Sequence, residues 1–151
     1  MIRGVSFNIP QLKSNTLWKI FSAIDINKYY WYIIQSQTEV WDNLLENDFF
    51  KQECYPGEEF STCIQSNHYI VFLKLQAYST FTNMRNMCEY NDYIKSDCQL
   101  ILLVHDCEYV ELYSKDQYTI NLIYQRAAAN GYKEIEYIMD NNDGRKVLDI
   151  L

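Results

Sequence analysis

Apolar and polar positions alternate from residue 3 to residue 9. Val5, Phe7 and Ile9 point one way, and Gly4, Ser6 and Asn8 the other. A period of two predicts a strand with one buried face. Pro10 closes it, having no N–H to give to a ladder. The period then lengthens: Leu17, Ile20, Phe21 and Ile24 fall at i, i+3, i+4 and i+7, which predicts an amphipathic helix with Ser14 or Asn15 as its cap. Residues 25–28 read as a turn, and the aromatic and β-branched run 29–34 as a strand. From 36 to 57 the pattern is weakest. Val40, Trp41, Leu44 and Leu45 have helical spacing without a strong cap, and Tyr55-Pro56-Gly57 has turn chemistry. A short helix with acidic residues in its first turn is predicted over 58–66. A strand follows over 69–78, with Val71, Leu73, Leu75 and Ala77 on one face and Lys74 and Gln76 opposite.

The second half is more legible. Residues 89–95 suggest a short helix. Residues 100–104 are apolar on both faces, as a central strand is. A turn at 106–108 leads into a strand at 109–113 with Val110 and Leu112 facing inward. Ser114 and Gln117 have the spacing of a capping box. The helix they open runs to 130, with Ile120, Ile123, Tyr124 and Ala127 on its core face, and Gly131 stops it. A last strand at 134–139 and a polar turn at 140–144 complete the pattern. The hairpin at 99–113 points to antiparallel pairing, and helices interrupt the strands irregularly. The fold class is therefore α+β: a single domain over 1–151, mainly an antiparallel sheet with helices packed on it. The tail at 145–151 is free to fray.

Composition narrows the class. A chain of 151 residues with 48% hydrophobic and 22% charged residues suits one core. Gly and Pro number only 4 and 2, so most residues should be ordered. Fourteen of the aromatics are Tyr, whose ring half-buries with a polar tip outward. The start lacks a secretory h-region, and the longest aliphatic run is far too short for a bilayer, so a cytoplasmic protein without a membrane partner is expected. An odd count of five Cys, with no C-x-x-C pair, argues for reduced thiols rather than disulfides. The net charge is −7 and includes no basic patch, which excludes a nucleic-acid backbone as partner. The charge is uneven: residues 36–65 hold seven acidic residues and one basic one.

Motifs for chemistry are few. The glycines at 4, 57, 131 and 144 are too far apart for a dinucleotide loop, a P-loop or a nucleophile elbow. His105, Asp106 and Cys107 are adjacent and form a weak candidate site. They fall short of the four ligands of a closed zinc site, so no metal and no cofactor is expected. A Cys–His nucleophile pair would need Cys107 with His105, or Cys54 or Cys63 with His68, and adjacency alone is slender support. Residues 140–144 look like part of a calcium loop. With Gly144 in sixth place, however, the first and twelfth ligands fall on Met139 and Ile150, which cannot coordinate a hard cation.

Four segments carry a resemblance: R-G-V-S-F-N-I-P at 3–10, D-I-N-K-Y-Y-W-Y at 25–32, S-D-C-Q-L-I-L-L-V-H-D at 96–106 and E-I-E-Y-I-M-D-N-N-D at 134–143. On these the chain resembles a family of small uncharacterised proteins of Bacillus-type bacteria and their mobile elements, known only as a domain of unknown function. The resemblance implies a soluble intracellular bacterial protein and brings no catalytic residue with it.

Two functions follow. The first is a non-enzymatic protein-interaction module, inhibitor-like or immunity-like. A basic protein partner would dock on Glu39, Trp41, Asp42, Glu46 and Asp48, where acids are interleaved with aromatics. The alternative is an enzyme or small-ligand binder with an unfamiliar site in a Tyr-lined pocket. The balance of these readings leans away from an enzyme.

Overall fold

The computed structural model describes residues 1–145 and 147–150. In chain order the strands are β1 (Ile2–Asn8), β2 (Tyr30–Ile33), β3 (Glu39–Trp41), β4 (Cys54–Pro56), β5 (Tyr69–Tyr78), β6 (Cys98–His105), β7 (Tyr109–Ser114) and β8 (Lys133–Met139). The helices are α1 (Thr16–Phe21), α2 (Gly57–Ile64), α3 (Tyr90–Lys95) and α4 (Gln117–Ala129). All eight strands join one antiparallel sheet in the order β4-β2-β5-β6-β7-β1-β8, and β3 pairs with the part of β5 that β2 leaves free. The class is α+β, as the alternation of periods predicts.

The sheet has two buried faces. On one, Val5, Phe7, Trp31, Leu75, Leu102, Val104 and Leu112 meet the apolar stripes of α1, α2 and α4. Trp31 is the anchor: its ring stacks on Phe60 at 4.5 Å and meets Phe21 edge-on at 4.8 Å, while its indole N–H donates to the Ile26 carbonyl. On the other face, Tyr78, Ile101, Leu103, Tyr113 and Ile138 are covered by Met87, Tyr93 and Leu148. With both faces covered, residues 100–104 are wholly buried, as their unbroken apolar run requires.

Lys74 and Gln76 are wholly buried on this second face. The Gln76 amide accepts from the Met87 N–H and donates to the Arg85 carbonyl. Lys74 Nζ donates to the Met87 carbonyl at 2.6 Å and to Asp149 at 2.9 Å. Both of these buried side chains have partners, the condition for such burial.

Several local expectations are corrected. Residues 40–45 form no helix: β3 pairs with β5, and Leu44 and Leu45 are exposed. Residues 55–57 are no turn: Tyr55 and Pro56 lie in β4, and Gly57 opens α2. A Cβ on Gly57 would come within 2.5 Å of the Asn27 Cα, so close approach is what demands a glycine there. At α4, Asp116 is the cap, accepting from the Tyr118 N–H and the Thr119 hydroxyl, while Ser114 accepts from the Asp116 N–H one turn earlier. At α1 neither Ser14 nor Asn15 caps by its side chain. The Leu17 N–H donates instead to His68 Nε2 from across the fold.

The tail expected to fray has specific contacts. Arg145 forks onto Glu111 with bonds of 2.6 and 3.2 Å. The Leu148 N–H donates to the Cys88 carbonyl, and its side chain is wholly buried. Asp149 accepts from Lys74 and Gln37, and the Ile150 N–H donates to Gln37. Lys146 and Leu151 of that range lie outside the described residues.

Candidate functional site

Two surfaces stand out, one at the end of β3 and one on the second face of the sheet. The first holds the residues singled out in the sequence. A bridge between Trp41 and Asp48 closes a hairpin, whose turn is tied by the Asp42 N–H to the Asn47 carbonyl and the Leu45 N–H to the Asp42 carbonyl. The Asp42 carboxylate accepts from the Glu46 N–H at 3.0 Å, and this bond holds it below the usual carboxylate range. Leu45 sits at φ 58, a left-handed conformation that costs a branched L-residue energy. Lys13 ties the tip to the β1–α1 connection by donating to the Asn43 carbonyl.

Glu39, Trp41, Asp42, Glu46 and Asp48 thus share one hairpin. The Trp41 indole donates to Glu39 at 3.0 Å. The apolar centre, however, differs from the one the interleaved aromatics suggest. Phe49, Phe50, Tyr55 and Phe60 are buried in the helix-side core. Leu44 and Leu45, 69% and 53% exposed, take their place at the tip. Their helical spacing hid them, because nothing in the sequence says that Leu45 is held in a turn.

The second surface is a groove of about 1070 Å³ on the part of the second face that the tail leaves open. Its floor is built by period-two alternation of Ser6 and Asn8 in β1 and of Tyr109 and Glu111 in β7, with Glu136 and the bulge residue Glu134 (φ 53) of β8 and His105 at the end of β6. Residues 142–145 and Val147 form its wall. The weak candidate triplet is split: His105 lines this groove, while Asp106 and Cys107 do not. His105 lies 3.7 Å from Asp106 and 3.8 Å from Glu111, too far for hydrogen bonds. Asp106 and Cys107, at φ 53 and 63, form the left-handed turn of the β6–β7 hairpin. Arg145, Glu111 and the β8 carboxylates escaped the sequence reading because the tail that walls the groove comes from far along the chain.

Three of the thiols are quiet. Burial pushes up those of Cys54 and Cys63, and that of Cys98 to about 12, so these three supply little thiolate at neutral pH. His68 spends both ring nitrogens on backbone, accepting from Leu17 and donating to the Ser66 carbonyl, and burial lowers it to about 4. It is a helix cap, not a base for Cys54 or Cys63. Among the described residues no group of three or more His, Cys, Asp or Glu is placed to hold a metal, and no helix is long and apolar enough to cross a membrane.

Comparison with known proteins agrees with the sequence resemblance. The family model described as a protein of unknown function, DUF2691, matches residues 2–149. The chain is 31% identical to the uncharacterized protein YncE of Bacillus subtilis (strain 168) over 153 residues, spanning 99% of this chain and 100% of that protein. No solved structure matches.

Proposed function

This chain belongs to the DUF2691 family, whose description assigns no function, and we propose that it acts as a non-enzymatic interaction module, inhibitor-like or immunity-like, whose acidic hairpin tip receives a basic protein partner. The observation that supports this is Leu44 and Leu45 held out in solvent between Asp42, Glu46 and Asp48. Backbone strain at Leu45 and two leucines in water both cost stability, and the fold recovers neither cost in its own core. A partner that buries the leucines and pairs with the acids would offset both. Charge sets its sign: residues 36–65 carry seven acids against one lysine, so the complementary surface is basic. An inhibitor-like or immunity-like protein works in this way, by covering a basic surface that another protein needs.

The test is affinity capture from the native host with two baits, the wild type and the variant Glu39→Gln, Asp42→Asn, Glu46→Gln, Asp48→Asn. A basic protein retained by the first and lost by the second is then purified and titrated. Its association rate should fall as salt rises, because the acids are exposed and screened. Leu44→Ser should weaken it about tenfold, as loss of an apolar anchor does. Identical captures with both baits would leave the tip a solvated turn and end the proposal.

A further inference from the structure

The groove on the second face shares no residue with the hairpin tip and has a charge pattern of its own. Its described lining holds the carboxylates of Glu111, Glu134, Glu136 and Asp143 against one guanidinium, Arg145. That guanidinium is committed. It forks onto Glu111 and donates again to the carbonyls of Val147 and Asp149. Arg3 is held by Asp140 and Asp143 and lies over the Tyr90 ring at 4.0 Å. Asp143 is further engaged by the Tyr113 hydroxyl. Glu134 and Glu136 are left exposed, with no ion pair or side-chain hydrogen bond among the described residues. They sit two positions apart on β8, Glu136 paired opposite Ser6 and Glu134 at a β-bulge with φ 53.

The groove's margins are apolar. Tyr109 is 42% exposed, its ring tilted beside that of His105 at 5.3 Å, and Val147 is 48% exposed. An exposed tyrosine ring beside carboxylates is a platform for a cation. The floor is a row of strands, so it suits an extended occupant better than a globular one. Strand addition at the β8 edge is disfavoured: the Asn142 amide already accepts from the Met139 N–H and donates to the Tyr137 carbonyl there.

We propose that this groove binds an extended basic peptide segment, with arginine or lysine side chains meeting Glu136 and Glu134 and a neighbouring cation stacking on Tyr109. Recognition is by side chains across the sheet face, not by pairing at its edge. The volume, about 1070 Å³, is at the upper end for a small-ligand site and leaves room for several residues of such a segment.

The probe is a short capped peptide with arginine at every second position and serine between, followed by amide NMR titration of the whole protein. Shifts confined to β1, β7, β8 and residues 142–147, with saturable binding, are expected. Glu134→Gln with Glu136→Gln should weaken binding about tenfold, as loss of two charge-assisted contacts does, while Asp42→Asn should leave it unchanged. Both glutamates are exposed, so the double variant should melt with the wild type. Glu134→Lys with Glu136→Lys should reject the arginine peptide and accept the same pattern written in glutamate. Three results would each overturn the proposal: unchanged affinity in the double variant, shifts spread over the whole acidic surface, or spermidine binding the same residues as tightly as the peptide.

Discussion

The two faces of the central sheet are buried by different means. On the helix side, Trp31, Phe21, Phe60, Leu75 and Leu102 fill the space between sheet and helices with hydrocarbon and aromatic rings. On the other side no long helix among the described residues covers the strands. The segment 84–88, the six-residue α3 and the tail do so, held to β5 by Lys74, Gln76 and Asp149. The first face is held by volume, which tolerates exchange of similar shapes. The second is held by hydrogen-bonded polar groups, where losing one partner strands the other in a low dielectric. A sheet covered on one side by chain without regular structure therefore needs polar pairing to fix where that chain lies.

That contrast is open to direct tests. The largest effect is expected on the helix side: Leu102→Ala should cost about 2–5 kcal/mol, the range for a buried large-to-small change. Denaturant unfolding measures it, and an unchanged midpoint would remove residues 100–104 from the centre of the core. On the tail side, Asp149→Ala should cost about 3 kcal/mol, the lower end for breaking a buried pair, because Asp149 is one-fifth exposed. Burial alone would raise the Asp149 carboxyl, but its bonds from Lys74 and Gln37 outweigh that and hold it below the usual range. Asp149→Ala combined with Lys74→Met, which removes the stranded charge as well, should cost much less. Equal losses in the two variants would mean that shape, not charge, holds the tail.

A pH titration separates the faces in another way. His68 caps α1 only while neutral, and burial lowers it from an ordinary 6.5 to about 4. The unfolded chain therefore binds a proton between these values that the folded chain refuses. The His68 contribution is complete above pH 6.5 and is lost as pH falls through 4, by about 3 kcal/mol in all. Unfolding followed across that window should show the decline, and His68→Asn should flatten it. A decline of the same size in the variant would assign the acid sensitivity elsewhere. The smallest effect belongs to the hairpin shared by both faces. Cys107→Gly relieves the left-handed strain at φ 63 and should stabilise by about 0.5–1 kcal/mol, adding to either face's variant without interaction. A lower melting temperature would show that the Cys107 side chain earns more from its contacts than the turn loses.

Much of the helix side was legible because one period governs each segment. Val5 and Phe7, or Ile120, Ile123 and Ala127, declare their buried face locally. The second face was not, since its cover comes from short segments without periodicity, and Lys74 in a strand looks like a solvent-facing residue until Asp149 is brought to it. The candidate surfaces divide in the same way. The acids of the tip were visible as a charge cluster, but Leu44 and Leu45 were not, because their exposure follows from a turn that no glycine marks. The groove needed the tail's path across the sheet, which no window of sequence contains.

The place of β1 has a consequence in time. It is synthesised before the other seven described strands, yet it lies between β7 and β8, the last of them, with Gly4 opposite Tyr113 and Val5 opposite Tyr137. Until the far end of the chain has emerged, Val5 and Phe7 have no sheet to join, and the sheet that forms first has an open edge at β7. Folding must wait on closure of a very long loop, which makes it slow and leaves an apolar strand unprotected during synthesis.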